Sequence, residues 1–556
     1  MPPTRPHGPS AVIHFVPEAY TTTGPKLMGR NAAGESFLRG YARHASVRDF
    51  RCFVENEAHA KTFAAEVTAQ GRSEPVRAWT RNTFANLIEG GCLYTPGPGI
   101  GEFAWQRRLY GDAAWSLAGV THTTASSRAM DAIANLLNAP VQPWDAVICT
   151  STAVLSHVRG ILDAQRAYLE DRVGATRFTE PMLPVIPLGL HCDDFVFFEA
   201  QRTAARRAIG AGPETLVVLF TGRLSFHAKA HPLAMYQALE RARRDSGREI
   251  MLVECGWHAN ASIQQAFSDA QRAACPSVPV RVLDGRRPDQ RAIAWASGDV
   301  FCSLSDNIQE TFGLVPIEAM AAGMPVVVSD WNGYKDTVRD GVDGFRVPTL
   351  APPPGSAADI AAAHAIGADT YDIYCGETCM VVAVDIAATA TAFTKLAQDQ
   401  DLRRRMGEAG RERARTTYDW AVIVPQYQDL WAEMERLRIA SPHRPAPVHP
   451  WPARVDPFTG FADYPTRLLT DDVRLELAAD PQTAKNRFAE LSALNMVNFG
   501  RWSRIDAAIA ATVIEAATKG PVSVADLVLV MGGADRARAV RMLARLVKLG
   551  ILRPAD

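Results

Sequence analysis

Two glutamates with seven residues between them, Glu310 and Glu318, stand in the stretch Ser305–Asp–Asn–Ile–Gln–Glu310–Thr–Phe–Gly313–Leu–Val–Pro–Ile–Glu318–Ala–Met–Ala–Ala–Gly323–Met–Pro325. The stretch follows an apolar strand and opens a helix at about Gly313. A helix start behind a glycine-bearing loop offers free backbone N–H groups and the positive end of a dipole, a natural seat for a diphosphate. Gly313 lets an anion approach the backbone. Glu310 lies in the loop before the helix, and Glu318 lies about one and a half turns inside it. The two therefore face different regions. One reaches a group ahead of the phosphates and the other a group behind them, and carboxylates accept from the paired hydroxyls of sugars and riboses.

The elements that must position this stretch repeat along the chain. Ala11–Phe15, Arg51–Val54, Leu117–Thr121 and Ala146–Cys149 read as strands, and Ser126–Leu137 and Thr152–Leu169 as helices of period 3.6. Pro184–Leu190 closes this block. Leu216–Thr221, Ile250–Cys255, Val280–Leu283, Val300–Leu304 and Pro325–Ser329 then begin a second series, each followed by a helical stretch. Such βα repetition predicts an α/β protein with two doubly wound, Rossmann-like domains facing a cleft.

Here the chain resembles the retaining family 4 glycosyltransferases, which have the GT-B fold and an E-x7-E motif. The resemblance implies that Glu310 contacts the donor sugar, that Glu318 holds the nucleotide ribose, and that Thr311, Phe312, Gly313 and Leu314 turn backbone amides toward diphosphate and sugar. Phe220–Thr–Gly–Arg223–Leu–Ser–Phe–His–Ala–Lys229 is similar to the family's G-R…K segment. It implies that Arg223 and Lys229 neutralise the leaving diphosphate. Gly119–Val–Thr–His122 is similar to the segment whose histidine approaches the donor sugar. Val185–Ile–Pro–Leu–Gly189 resembles the interdomain turn, and Tyr418–Asp–Trp420 with the helix after it resembles the last helix, which returns to the first domain. The implied catalytic set is Glu310, His122, Arg223 and Lys229, with no metal and no prosthetic group. The implied donor is a UDP-, GDP- or ADP-sugar. The family's acceptor loop carries paired glycines, whereas here Gly24 and Gly29 are separated, and Gly29 is the acceptor-loop candidate. Arg286, in Gly285–Arg286–Arg287 after a strand, is a candidate wall of the base pocket.

Other segments read as ordinary structure. Gly97–Pro–Gly99–Ile–Gly101 lacks the later glycine of a dinucleotide loop, and no acidic partner can be placed for it. Asp399–Gln–Asp401 spells D-x-D but precedes a helix, where acids cap. Cys192–Asp193–Asp194 reads as a chain turn. Nine scattered cysteines do not form a disulfide framework or a zinc pattern.

The domain plan has six parts. Residues 1–10 are a proline-rich, polar N-terminus without ordered structure. Residues 11–195 form an N-terminal acceptor domain and 196–420 a nucleotide-sugar donor domain. Residues 421–440 form the returning helix. Residues 441–457, with six prolines in 17 positions, are a linker. Residues 458–556 are a small helical unit. Within 196–420, the span 351–377 reads as an insertion or long loop. In the last part, Ile505–Ala517, a helix capped by Ser523, a turn at Gly532–Gly533 and a basic helix Asp535–Leu549 resemble a winged helix-turn-helix, with Ile551–Leu552 starting a wing.

The length of 556 residues suits several domains, and 47% hydrophobic with 21% charged residues excludes general disorder. A net charge of −1 excludes a globally basic nucleic-acid binder. The N-terminus shows no apolar signal segment, and no apolar run reaches about 18 residues. These features predict a cytoplasmic location, with attachment to the inner face of a membrane left open. The last unit is a candidate for docking a protein partner or a membrane surface, with nucleic acid disfavoured. The alternatives to a transferase are a sugar-nucleotide epimerase or another GT-B enzyme, and a non-catalytic scaffold or regulator acting through the helix-turn-helix unit.

Overall fold

A computed structural model of the chain describes residues 8–21, 29–442, 447, 449–532 and 535–555. It divides into two compact units, one running to Trp451 and the other from Pro452 onward. Most of residues 1–10, as well as Gly24 and Gly533, lie outside the described residues.

The first unit holds two six-stranded sheets, parallel throughout. One runs in the order Val76–Trp79, Phe50–Phe53, Val12–His14, Cys92–Tyr94, Ser116–Val120, Ala146–Ile148. The other runs Gly344–Val347, Val326–Ser329, Val300–Ser303, Leu216–Thr221, Ile250–Gly256, Val280–Asp284. Numbered by chain order within each half, both read 3-2-1-4-5-6. That is the doubly wound order, in which ligands sit at the carboxyl ends of strands 1 and 4, where the winding reverses. The expected pair of Rossmann-like domains is present, and the fold is GT-B. Parallel sheets are covered on both faces, so their central strands are buried along their whole length. Ser116–Val120 and Ile250–Gly256 are buried at every position.

Strands at Val76–Trp79, Cys92–Tyr94 and Gly344–Val347 join those expected from the sequence. They are three or four residues long, and Val76–Trp79 is a half-exposed edge. Such segments carry too little apolar periodicity to stand out. The span 351–377 is not a loop. It carries helices Ala358–Ala365 and Tyr371–Cys379, the second capped by the Thr370 hydroxyl accepting from Ile373 N–H. Alanine and glycine dilute its apolar period, which hid the helices.

Helix Trp420–Ala440 inserts Trp420, Ile423, Val424, Tyr427, Trp431 and Met434 into the core of the first sheet. Its entry is tight. A Cβ on Gly189 or on Gly40 would lie 2.3 or 2.4 Å from the Trp420 side chain, so both positions require glycine. Trp420 Nε1 donates to Ser36 Oγ at 2.8 Å.

The second unit pairs Arg474–Leu477 antiparallel with Val522–Ser523 and with Leu552–Pro554. Helices Pro481–Ser492, Ala507–Ala516, Val524–Val530 and Arg536–Lys548 pack on a core that includes Leu475, Phe488, Val513, Leu527, Met542 and Leu546. Ser523 caps Val524–Val530 through the Asp526 N–H. On the basic helix, Arg536 pairs with Asp471, and Arg545 donates to Ser503 Oγ.

The N-terminal core also contains a fully buried ion pair. Arg107 donates to both carboxylate oxygens of Asp145, at 2.5 and 2.8 Å, and both side chains are inaccessible to solvent. Asp145 also accepts the backbone N–H groups of Leu117 and Gln142. Replacing Asp145 by alanine strands a buried guanidinium. The expected loss is about 3–5 kcal/mol, read as an earlier transition in urea denaturation. An unchanged midpoint refutes it.

Candidate active site

The site forms at the reversal point of the second sheet. The loop after Leu216–Thr221 carries Arg223 and Lys229, and the loop after Val300–Ser303 carries Asp306 to Glu310. Their side chains meet. Lys229 Nζ lies 2.7 Å from Glu310 Oε2, with the lysine 22% and the glutamate 12% exposed. Arg223 donates to the Ala228 carbonyl at 3.1 Å and to Gln309 Oε1 at 3.0 Å. Two residues 81 positions apart thus make an ion pair in the cleft, which spacing alone does not reveal.

The glutamate loop is held at each turn. Asn307 Nδ2 donates to the His227 carbonyl, and its Oδ1 accepts Gln309 N–H at 2.9 Å. Asn332 Nδ2 donates to the Glu310 carbonyl at 2.5 Å, and Trp331 Nε1 to the Asn307 carbonyl at 3.0 Å. Thr311 Oγ1 donates to the His122 carbonyl, and Ser151 Oγ donates to the Thr311 carbonyl, each at 2.7 Å. The Rossmann-like domains therefore meet on Thr311. His122 reaches the site through its main chain, with its side chain half-buried.

Gly313 then turns the chain into helix Leu314–Ala321 with φ +90°. A Cβ there would lie 2.1 Å from the Tyr334 ring. That ring is fixed by a 2.8 Å hydrogen bond between its hydroxyl and Ser303 Oγ. Phe312 is buried against Tyr418, and Leu314 begins the helix.

The two glutamates carry opposite electrostatic settings. Burial pushes the Glu310 carboxyl up, but the Lys229 ammonium and the Thr311 and Phe312 N–H groups outweigh it and hold it below the usual range. Glu318 is half-buried, and desolvation pushes it up to about 7, only partly opposed by Lys229 and Arg291. Asp306 is also pushed up to about 7 by burial while accepting His231 N–H.

Some predicted residues lie apart from this cluster. Arg286 turns back on Asp284 in a bidentate pair at 2.9 and 2.8 Å and is largely exposed. Arg291, which the sequence reading passed over, donates to the Gly285 carbonyl and faces Glu318. Gly29 opens helix Gly29–His44, and a Cβ there would meet nothing. The glycine under constraint is Gly34, where a Cβ would lie 1.9 Å from the Ala19 carbonyl. Asp399 caps its helix through Leu402 N–H. Asn332 was legible in principle, because Asn–Gly marks a turn and its φ is +45°.

Residues 201–364 match the family model described as glycosyl transferases group 1. The matched span contains Arg223, Lys229, Glu310 and Glu318. A D-inositol 3-phosphate glycosyltransferase of Nocardia farcinica is 32% identical over 167 residues, covering 30% of this chain and 36% of that protein. A phosphatidyl-myo-inositol mannosyltransferase of Mycobacterium leprae is 33% identical over 156 residues, covering 27% and 32%. The chain spans less than half the length of these relatives. Among solved structures, Anabaena Alr3699/HepE with UDP and glucose is 15% identical, covers 76% of this chain and 99% of its own, and has a TM-score of 0.49.

Glu318 yields a prediction independent of substrate. Its folded pKa is raised, so between about 4.5 and 7 the folded state binds more protons than the unfolded state, and its contribution to stability falls as pH rises through that window. Glu318→Gln removes the ionisable group. The variant should melt above the wild type at pH 8, with the difference shrinking as pH falls and vanishing below about pH 4.5. Equal melting temperatures at pH 8 contradict this.

Proposed function

We propose that the chain is a retaining glycosyltransferase that moves a sugar from a nucleoside diphosphate sugar to an acceptor hydroxyl. The observation carrying this reading is the Lys229–Glu310 pair at the reversal point of the second sheet, within the span that matches the group 1 family. The donor lies along the second domain. Its diphosphate rests on the N–H groups at the start of helix Leu314–Ala321 and on the Arg223 and Lys229 cations. Lys229 then exchanges part of its bond to Glu310 for the phosphates, which frees Glu310 to accept a sugar hydroxyl. Glu318, in its ionised form, accepts the ribose hydroxyls.

In the chemical step the acceptor oxygen attacks C1 of the sugar from the face the diphosphate leaves. The C1–O bond to the diphosphate breaks, and the acceptor proton passes to the departing phosphate oxygen. The cations carry the charge that develops there. His122 and Thr311 line the sugar position from the two domains, and closure excludes water. The acceptor enters from the first domain, with Gly29 and Gly34 shaping its loop. Arg286 would have to leave Asp284 to touch a base, so Arg291 and the backbone at Gly285 are the better wall. Among the described residues no helix is long and apolar enough to cross a membrane. The unit from Pro452 is a winged-helix-like docking module.

The test is nucleoside diphosphate release from UDP-, GDP- and ADP-sugars by the full chain. One donor should turn over, and Glu310→Ala should lower kcat by about 100-fold or more with the melting temperature retained. Lys229→Met should weaken donor binding as well, since it removes a phosphate contact and leaves Glu310 unpaired. Unchanged turnover in Glu310→Ala refutes the role given to Glu310, whereas no donor bound by folded protein refutes the assignment and favours a non-catalytic scaffold.

A further inference from the structure

The helices at 351–384 are docked on the loops that build the site. Gly376 packs on His227, where a Cβ would lie 3.2 Å from the His227 Cβ. Cys379 Sγ donates to the Phe226 carbonyl at 3.4 Å. From this base the insertion reaches the opposite domain. The His364 ring stacks on Tyr374 at 4.5 Å and 9°. His364 Nδ1 faces the Asp369 carbonyl at 3.2 Å, and since a carbonyl only accepts, Nδ1 carries the proton. Nε2 is then an acceptor for the neutral ring, and Ser127 Oγ, at the start of helix Ser127–Ala134 of the first domain, donates to it at 2.9 Å.

Behind this bridge lies a cavity of about 230 Å³ between the two domains. Met130 and Val154 line it from the first domain, Ile308, Trp331 and Asn332 from the second, and Tyr374 from the insertion. Trp331 has committed its N–H to the Asn307 carbonyl, so no donor remains on its ring. Asn332 has committed its Nδ2 to the Glu310 carbonyl, and its Oδ1 is buried without a hydrogen-bond partner. A buried acceptor left open costs stability, and a ligand hydroxyl would satisfy it. No lysine or arginine is among the described residues of the wall. The cavity also contains neither Arg223 nor Lys229, so it is separate from the diphosphate seat.

We propose that this cavity is the acceptor subsite, that it takes an uncharged, hydroxylated ring, and that the insertion sets this specificity through Tyr374, held in place by His364. The assignment as acceptor rests on the transferase reading, whereas the ligand chemistry rests on the wall alone. Apolar and aromatic faces broken by the Asn332 Oδ1 acceptor, Thr124 and the His157 ring suit a polyol or sugar ring. A phosphorylated ring would lose its hydration with no lysine or arginine in the wall to pair with, and His157 carries a full charge only when protonated.

Saturation-transfer NMR on the full chain reads binding without requiring turnover, using myo-inositol, phenyl β-D-glucopyranoside and D-inositol 3-phosphate as probes. An uncharged probe should bind at least about tenfold more tightly than the phosphate, and Tyr374→Ala should weaken it by roughly tenfold. Met130→Lys places a cation in the wall and should raise affinity for D-inositol 3-phosphate. Preference for the phosphate by the wild type, no binding of either uncharged ring, or affinity within twofold in Tyr374→Ala overturns the proposal. In turnover, Tyr374→Ala should raise KM for an uncharged acceptor and not KM for the donor, and a rise in donor KM alone would move the cavity to the donor side. Absence of any Glu310-dependent donor turnover would refute the transferase reading while leaving the NMR result standing.

Discussion

The turn from Ser305 to Gly313 is tied down on every side, and the rest of the cleft takes its shape from that. Its carbonyls receive the Asn332, Trp331 and Ser151 side chains, its Asn307 reaches back to His227, and its end is forced into φ +90° against the Tyr334 ring. A loop so fixed places one carboxylate and a set of N–H groups without reorganisation when a ligand arrives, which is where electrostatic stabilisation is most effective. The cost falls on residues outside the turn itself. Tyr334 must be aromatic and anchored to Ser303, and Asn332 must occupy a backbone region that most side chains avoid.

The same turn is the hinge of contact between the two Rossmann-like domains. Thr311 spends both its hydroxyl and its carbonyl on the first domain, at His122 and Ser151. Nearby, Asp336 accepts the N–H and hydroxyl of Thr152 at 2.6 and 2.7 Å. Thr152 begins the 22-residue helix Thr152–Val173, so the carboxylate sits at the positive end of a long dipole. These bonds close the cleft, yet they are few, polar and partly exposed, each worth only about 1 kcal/mol net. An interface of this kind can part without unfolding either core, and the buried pair Arg107–Asp145 lies well inside one of those cores.

The strands of both sheets that run through the buried centre, such as Leu216–Thr221 and Val300–Ser303, were legible because full burial writes a continuous apolar run. Short edge strands such as Val76–Trp79 were not, because half-exposure dilutes the signal. At the site, Glu310, Glu318, Arg223 and Lys229 were legible as types at a spacing beside a glycine turn. Their partners were not. Asn307, Ser151 and Asp336 meet partners 80 or more positions away, and Arg291 meets Glu318 from another helix, and neither leaves a pattern in a linear sequence. The insertion was misread for a related reason, since Ala358–Ala365 buries none of its residues and so has no apolar stripe to announce it.

The two glutamates show how a single motif divides its labour. Both are partly buried, yet Glu310 is the one held ionised, because an ammonium and two N–H groups compensate it. Glu318 makes no ion pair among the described residues, Lys229 and Arg291 oppose its desolvation only in part, and burial pushes it up to about 7. In the proposed reaction, a carboxylate already paired with a cation gives up part of that pairing when a diphosphate competes for the lysine. A carboxyl poised near neutrality has no such partner to leave, and it gains charge when hydroxyl donors arrive to stabilise it. Environments that push two acids of one motif apart assign them different tasks. In this chain the separation follows from the position of Lys229, which the reversal of strand order places beside the first glutamate and out of bonding reach of the second.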